Sequence, residues 1–255
     1  MHIRNTQQRR RAIIERISAE GDASVDSLAQ EHTTSEVTIR KDLAALEANG
    51  LLLRRFGGAV ALPKEEVKLG HIEKVSKRKL AIAKAAAWLI RDHNRIIIDA
   101  GQTTAALLPQ LDAKLGLVVM TNSLTIANAL GQLENEPTLL MTGGTWDPQS
   151  EAFQGQLAEQ VLRNYDFDQL FIGADGLDSD RGTTTFNELY SLSRVMAEVS
   201  REVIVMAESE KIGRKSHNLE LSWEQVDILV TDDQLPAVTK QKIQSQSVKV
   251  ICAKY

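Results

Sequence analysis

From Lys77 onward seven short apolar runs recur between stretches of helical periodicity: RIIIDAG, LVVMTN, TLLMTGG, QLFIGADG, VIVMAES, DILVTDD and VKVICA. β-Branched runs that are apolar on successive positions suit strands covered on both faces, and the helices between them supply the covers. Strands alternating with helices in this way build a largely parallel sheet through βαβ crossovers. Residues 77–255 are therefore expected to form an α/β domain.

The chain before that point is organised differently. Residues 62–76, LPKEEVKLGHIEKVS, are charged, contain Pro63 and Gly70, and read as a linker, which sets residues 1–61 apart as a small domain. Three helices are expected across residues 6–49. The first carries Ile13, Ile14 and Ile17 as an apolar stripe and stops at Gly21. Ser24 can cap a second, with Val25, Leu28 and Ala29 turned inward, and Ser35 a third that ends at Asn49-Gly50. Two short helices joined by a tight turn match helix-turn-helix dimensions.

The third helix can be read by face. Ile39, Leu43 and Leu46 stand at helical spacing and define the buried side, so Val37 and Lys41 point outward with Thr38 and Arg40 on the flanks. The cations can pair with phosphate or guanine edges, and valine can touch a thymine methyl. LLLRRFGGAVAL then reads as a hairpin around Gly57-Gly58 with Arg54 and Arg55 near its tip, the pattern of a wing. A solvated helix beside a plain hairpin that packs Phe56 fits the same letters. Double-stranded DNA is the expected partner, contacted by Ser35, Val37, Thr38, Arg40, Lys41, Arg54 and Arg55.

Bulk charge adds little to this. The formal net charge is −4, and nine basic face eight acidic residues through position 60, so the placement of charge has to carry the argument. A single cysteine, Cys252, excludes a disulfide framework and a Cys-rich zinc site, and the histidines lack metal-ligand spacing; no metal or cofactor is expected. The arginine-rich start has no apolar core of a secretory signal, and no apolar run approaches about 18 residues. A cytoplasmic protein without a membrane span is the expectation.

Polar residues collect where the seven runs end. Asp99, Gly101, Gln102, Thr103 and Thr104 follow the first, and Thr121, Asn122 and Ser123 the second. Gly143-Gly144 follow the third and Asp175-Gly176 the fourth, with Asn187 and Glu188 further on and Lys211 after the fifth. Ligands of open α/β sheets bind beyond the carboxyl ends of strands, and helix N-termini favour phosphate. Each ending alone is also an ordinary helix cap. Together they suggest a pocket for a phosphorylated polyol, with the hydroxyl-rich turns on phosphate and the carboxylates and Asn187 on hydroxyls.

SEVTIRKDLAALEANGLLLRRFGGA resembles the winged helix-turn-helix of DeoR-type bacterial repressors, whose pattern runs S-x-x-T-I-R-[RK]-D-L and continues through a glycine, an arginine and G-G. Ser35, Thr38, Ile39, Arg40, Lys41, Asp42 and Leu43 fill the first part, and Leu46, Gly50, Arg54, Gly57 and Gly58 the second. Thr33-Thr34 stand in the turn where many members have glycine and valine. DAGQTT, MTNS, MTGG, FIGADGLD, GTTTFNE and EKIG likewise resemble successive motifs of that family's effector domain, extending the resemblance over nearly the whole chain. The likeness implies a fold similar to ribose-5-phosphate isomerase, a phosphorylated sugar or hexitol effector, a homo-oligomer (dimer or tetramer), and repression of a sugar or sugar-alcohol catabolic operon. QGQLAEQVLRNYDFDQLF and TTFNELYSLSR look most like the glucitol operon repressor branch. Gln102 and Glu210 depart from the family's usual small hydroxyl and serine; the first is expected to reduce hydroxyl contacts to phosphate, the second to place a negative charge beside Lys211. A rival reading is a sugar-phosphate isomerase-like enzyme with an accessory DNA-binding head, using Asp175 and Glu188 as base and acid and Lys211 on the oxyanion.

Overall fold

The computed structural model describes residues 3–48, 52–55, 57–60, 75–186, 191–214, 216 and 218–255. The chain falls into two compact units, Met1–Glu73 and Lys74–Tyr255.

In the first unit, α1 (Ile3–Glu20) is followed by β1 (Asp22–Ser24), α2 (Val25–Glu31), α3 (Glu36–Ala48), β2 (Leu53–Arg55) and β3 (Gly58–Val60). The three helices and the hairpin are as expected. Ile13, Ile17, Val25, Leu28, Ile39, Leu43, Leu46 and Leu52 form a closed core. Ser24 caps α2 by accepting from the Ser27 N–H at 3.1 Å, and Ser35 caps α3 by accepting from the Thr38 N–H at 3.2 Å. Asn49-Gly50 and Phe56 lie outside the described residues. The third strand, β1, pairs with β3 and gives the order β1-β3-β2. Nothing in Asp22-Ala23-Ser24 marks a strand; it forms because Gly58 lets the two backbones close up. A Cβ on Gly58 would sit 2.3 Å from the Ala23 carbonyl oxygen.

Thr33, in the turn between α2 and α3, adopts φ +46°. The turn keeps the left-handed geometry that glycine takes easily, and a β-branched residue holds it against its own sterics. Thr33→Gly is therefore expected to stabilise this unit by roughly 0.5–1 kcal/mol after the glycine's unfolded-state entropy is counted. Calorimetry of the full chain tests this; an unchanged or lowered first transition contradicts it.

The second unit opens with α4 (Lys77–Ala87), β4 (Arg95–Ile98), α5 (Gln102–Ala105), α6 (Leu108–Leu111), β5 (Val118–Thr121), α7 (Leu124–Leu130) and β6 (Thr138–Met141). A hairpin of β7 (Thr145–Asp147) and β8 (Ala152–Gln154) leads to α8 (Gln156–Leu162) and β9 (Phe167–Ile172). β10 (Gly176–Asp178), β11 (Gly182–Thr185), α9 (Ser191–Glu198), β12 (Ser200–Met206) and β13 (Asn218–Ser222) follow, then β14 (Ile228–Asp232), α10 (Ala237–Gln244) and β15 (Lys249–Ala253). The seven apolar runs are the seven strands of one sheet, ordered β15-β14-β12-β9-β4-β5-β6 and parallel throughout.

Both sheet faces are covered, which is why the runs are continuous rather than alternating. Ile96 and Ile98 pack under α4, α6 and α7, while Ile97 one residue away packs on the side of α8 and α9. The chain lays β4, β5 and β6 in one direction, then returns to put β9 on the other side of β4 and continues through β12, β14 and β15. The order in which strands are added reverses between β4 and β9, so the crevice beyond their carboxyl ends is the natural ligand position. Among the described residues no helix is long and apolar enough to cross a membrane.

Candidate functional site

α3 presents the expected outer face. Val37 is 60% exposed, and Arg40 and Lys41 are exposed while Ile39, Leu43 and Leu46 are buried. Thr38 is half-buried, with its hydroxyl 2.9 Å from that of Ser35. Arg54 and Arg55 are exposed on β2. The structure adds that these arginines already have acidic neighbours: Arg40 Nη2 lies 2.6 Å from Glu36, Arg54 Nη1 3.6 Å from Glu47 and Arg55 Nη2 4.0 Å from Asp22. Exposed pairs of this kind contribute little, so exchanging them for phosphate costs little. Lys41 has no ion-pair partner among the described residues. Arg9 and Arg10 are not available in the same sense, since both donate to the buried Asp42, at 2.6 and 2.8 Å.

At the sheet's reversal point the strand ends are tied together from within. The Asp99 N–H donates to the Phe171 carbonyl at 3.0 Å. Asn122, from the end of β5, accepts from the Ala100 N–H at 2.9 Å and donates to Asp99 Oδ1 at 2.8 Å. Gly101 caps the short α5, so the turn Gly101–Thr103 opens beside a carboxylate held in place by an amide. Asp175, after β9, accepts from the Thr185 hydroxyl at 2.7 Å. Lys211 is buried on a short 3-10 turn after β12, its Nζ donating to the Ala174 carbonyl at 2.6 Å. Four separate strand ends thus bring Asp99, Asn122, Asp175 and Lys211 to one place.

Other expected site residues make bonds within their own turns. The Thr104 hydroxyl donates to the carbonyls of Asp99 and Gly101, at 2.8 and 2.9 Å, and its side chain is fully buried under the turn. Thr121 accepts from the Ser123 N–H and Ser123 caps α7, both buried. Gly143 and Gly144 adopt φ +60° and +111°, and Gly144 lets the β7–β8 hairpin close, since a Cβ there would meet the Gln154 carbonyl oxygen at 2.5 Å. Gly176 is buried at the start of β10. Asn187 and Glu188 lie outside the described residues.

Two departures from the family pattern take on a different meaning. Gln102 does not simply remove a hydroxyl: its amide oxygen accepts from Lys79 Nζ, which brings a cation from the first turn of α4 to the turn at Gly101. Glu210 does not face the Lys211 ammonium. Its carboxylate points outward to Arg78 at 3.3 Å and Arg214 at 2.8 Å.

Sequence reasoning missed Lys79, which sits in a helix with no motif around it, and Glu220. Glu220 is buried on β13, accepting from the Ser193 hydroxyl at 2.7 Å and the Thr183 hydroxyl at 3.3 Å. Burial pushes its carboxyl from 4.5 up to about 8, with the charges of Asp99 and Asp175 adding to the rise and the two hydroxyls opposing it. Burial likewise pushes Asp99 up to about 6, opposed by Asn122 and the Ala100 N–H and assisted by Asp175. The alternation of Asn218–Ser222 was the available signal for Glu220, and it is too short to fix a face.

Comparisons with known proteins bear on both units. The DeoR-like helix-turn-helix domain family matches residues 9–65, and the DeoR C terminal sensor domain family matches residues 74–233. A protein of Escherichia coli O157:H7 named as an aga operon transcriptional repressor is 36% identical over 98% of this chain and 94% of its own length. The HTH-type transcriptional regulator GlpR of Haloferax volcanii is 34% identical over 96% of each, and the transcriptional repressor AccR of Agrobacterium fabrum 32% identical over 91% and 92%. Among solved structures, ribose 5-phosphate isomerase A of Methanocaldococcus jannaschii is 20% identical with a TM-score of 0.40, covering 54% of this chain and 54% of that one.

Proposed function

The chain belongs to the DeoR family of transcriptional regulators, and on that premise we propose that it represses a sugar or sugar-alcohol catabolic operon and is released by a phosphorylated sugar or hexitol. Family membership makes it a regulator and not an enzyme, so the isomerase reading falls away. In this reading residues 1–61 grip double-stranded operator DNA, 62–76 connect, and 77–255 sense the effector and hold the chain in a dimer or tetramer. A two-fold assembly calls for a pseudo-palindromic operator with half-sites about one helical turn apart or a multiple of it. The glucitol branch is one resemblance within the family; the relatives' names span several operons.

One observation carries the effector class: Lys211 and the Lys79–Gln102 pair converge with Asp99 and Asp175 at the reversal of the sheet. Cations beside a helix-opening turn suit phosphate, and two carboxylates suit the hydroxyls of a polyol. A melting-temperature screen of ribose 5-phosphate and glucitol 6-phosphate against inorganic phosphate tests it, since a ligand of the folded state stabilises by mass action. Lys211→Ala is expected to weaken the stabilising sugar phosphate by about tenfold or more, as loss of a charge-assisted contact would, while operator affinity stays put. Undiminished binding in that variant places the phosphate elsewhere.

On the DNA side, Lys41→Ala is expected to weaken binding evenly across sequences and to reduce the slope of log affinity against log salt by about one. A promoter fragment that the wild-type chain binds, titrated over a range of salt, reads this directly. An unchanged slope removes Lys41 from the phosphate contacts.

A further inference from the structure

The turn that carries Lys211 also holds the start of α4. Ser76, the cap of that helix, accepts from the Lys79 N–H at 3.1 Å and donates its hydroxyl to Glu208 Oε1 at 2.9 Å. Two residues on, Arg78 Nη1 lies 3.3 Å from Glu210 Oε2, and its guanidinium stacks over the Tyr255 ring at 5.3 Å with Nε donating to the Tyr255 hydroxyl at 3.1 Å. Glu208, Glu210 and Lys211 are near neighbours on one short turn, so the ammonium at the candidate site and the two carboxylates on the helix start share one short piece of backbone. The far side of that turn is anchored, because buried Asp232 accepts from the Ser209 N–H at 2.8 Å and from its hydroxyl at 2.7 Å. Ser76 and Arg78 are where the chain from the amino-terminal unit enters the sensor unit.

From this we propose that the Glu208–Lys211 turn relays effector occupancy to the chain entering α4, with Glu208 and Glu210 as the positioning residues of the relay. The proposal rests on the sensor reading above. Lys211 Nζ is held by the Ala174 carbonyl at 2.6 Å. A phosphate that recruits the ammonium rearranges its contacts, and the buried stem of Lys211 has little free space in which to absorb the shift without moving its turn. Movement of Lys211 is therefore passed to Glu208 and Glu210, and through Ser76 and Arg78 to the segment leading to the winged unit. A ligand works such an element only through its different affinity for the two arrangements. Glu210, standing where the family's resemblance predicts serine, gives this chain its ionic half of the clasp.

The test separates binding from coupling. The full-length chain and its Arg78→Ala and Glu210→Ala variants are titrated with whichever of ribose 5-phosphate and glucitol 6-phosphate raises the wild-type melting temperature, first alone and then on a bound promoter fragment. Both variants are expected to bind the sugar phosphate within about twofold of wild type and to need about tenfold more of it to release DNA, a loss in the usual range of coupling. Release at the wild-type concentration in both variants overturns the relay. So does loss of sugar-phosphate binding itself, which would put the pair in the pocket. If neither sugar phosphate moves the wild-type melting temperature, the sensor reading fails first and the relay falls with it.

Discussion

Asp42→Ala is expected to unfold the amino-terminal unit near physiological temperature and to abolish operator binding while leaving the sensor unit's melting unchanged. Asp42 is 2% exposed on the inner side of α3 and accepts from Arg9 at 2.6 Å and Arg10 at 2.8 Å, both on α1. Removing the carboxylate leaves two part-buried guanidinium groups facing each other with no acceptor, the costly way to break an ion pair. Arg10 keeps a third of its side-chain surface in water, which discounts the penalty to roughly 2–3 kcal/mol. A unit of this size holds only about 3–6 kcal/mol in total, so most of its stability goes. Calorimetry should show the lower transition displaced by about 10 °C or more. A shift of less than about 3 °C would mean the arginines find other partners and the clamp is unimportant. Asp42→Asn, which keeps one acceptor, is expected to fall between.

The second large effect is one of pH. Glu220 has its carboxyl raised from 4.5 to about 8 by burial, with Asp99 and Asp175 adding to the rise. Between those two values the folded chain keeps a proton that the unfolded chain releases, so the contribution of Glu220 to stability is fully present below 4.5 and is lost as pH rises through about 8. The slope corresponds to roughly 3–5 kcal/mol across the window, or about 10 °C in the melting temperature of a unit this long. Glu220→Gln keeps the shape and an acceptor for the Ser193 hydroxyl, so it is expected to match wild type near pH 5 and to exceed it clearly at pH 8. Equal pH slopes in the two proteins would show that Glu220 ionises without penalty. The Asp99 carboxyl, near 6, contributes in the same direction over a lower window.

Much of the fold was readable because it rests on local repetition. The seven apolar runs became the seven parallel strands, and the capping of α2 and α3 by Ser24 and Ser35 followed from residue type and position. Short elements escaped. β1, β10, β11 and the β7–β8 hairpin span three or four residues each, too few for periodicity to register, and they exist because neighbours offer them an edge. At the candidate site the sequence pointed to the strand-end residues, and the structure adds what each of them bonds to within the chain. Thr104, Thr121 and Ser123 were grouped with ligand contacts, and the structure turns their hydroxyls to the backbone of their own turns. Gly144 makes room for the Gln154 backbone.

Sequence alone determined most of the buried residues of the helices and inner strands, since apolar periodicity is a property of neighbours in the chain; the run of edge strand β6 is exposed or only part-buried. It also placed the polar residues at strand ends, because helices must be capped there. Which strand ends meet was decided by tertiary structure. The return of β9 to the far side of β4 puts Asp99 beside Asp175 and brings Lys211 up to the Ala174 carbonyl. The partners Asp42, Lys79 and Glu220 acquire in space have no counterpart in sequence spacing: charge interactions depend on distance through the folded molecule, and no local pattern encodes that distance.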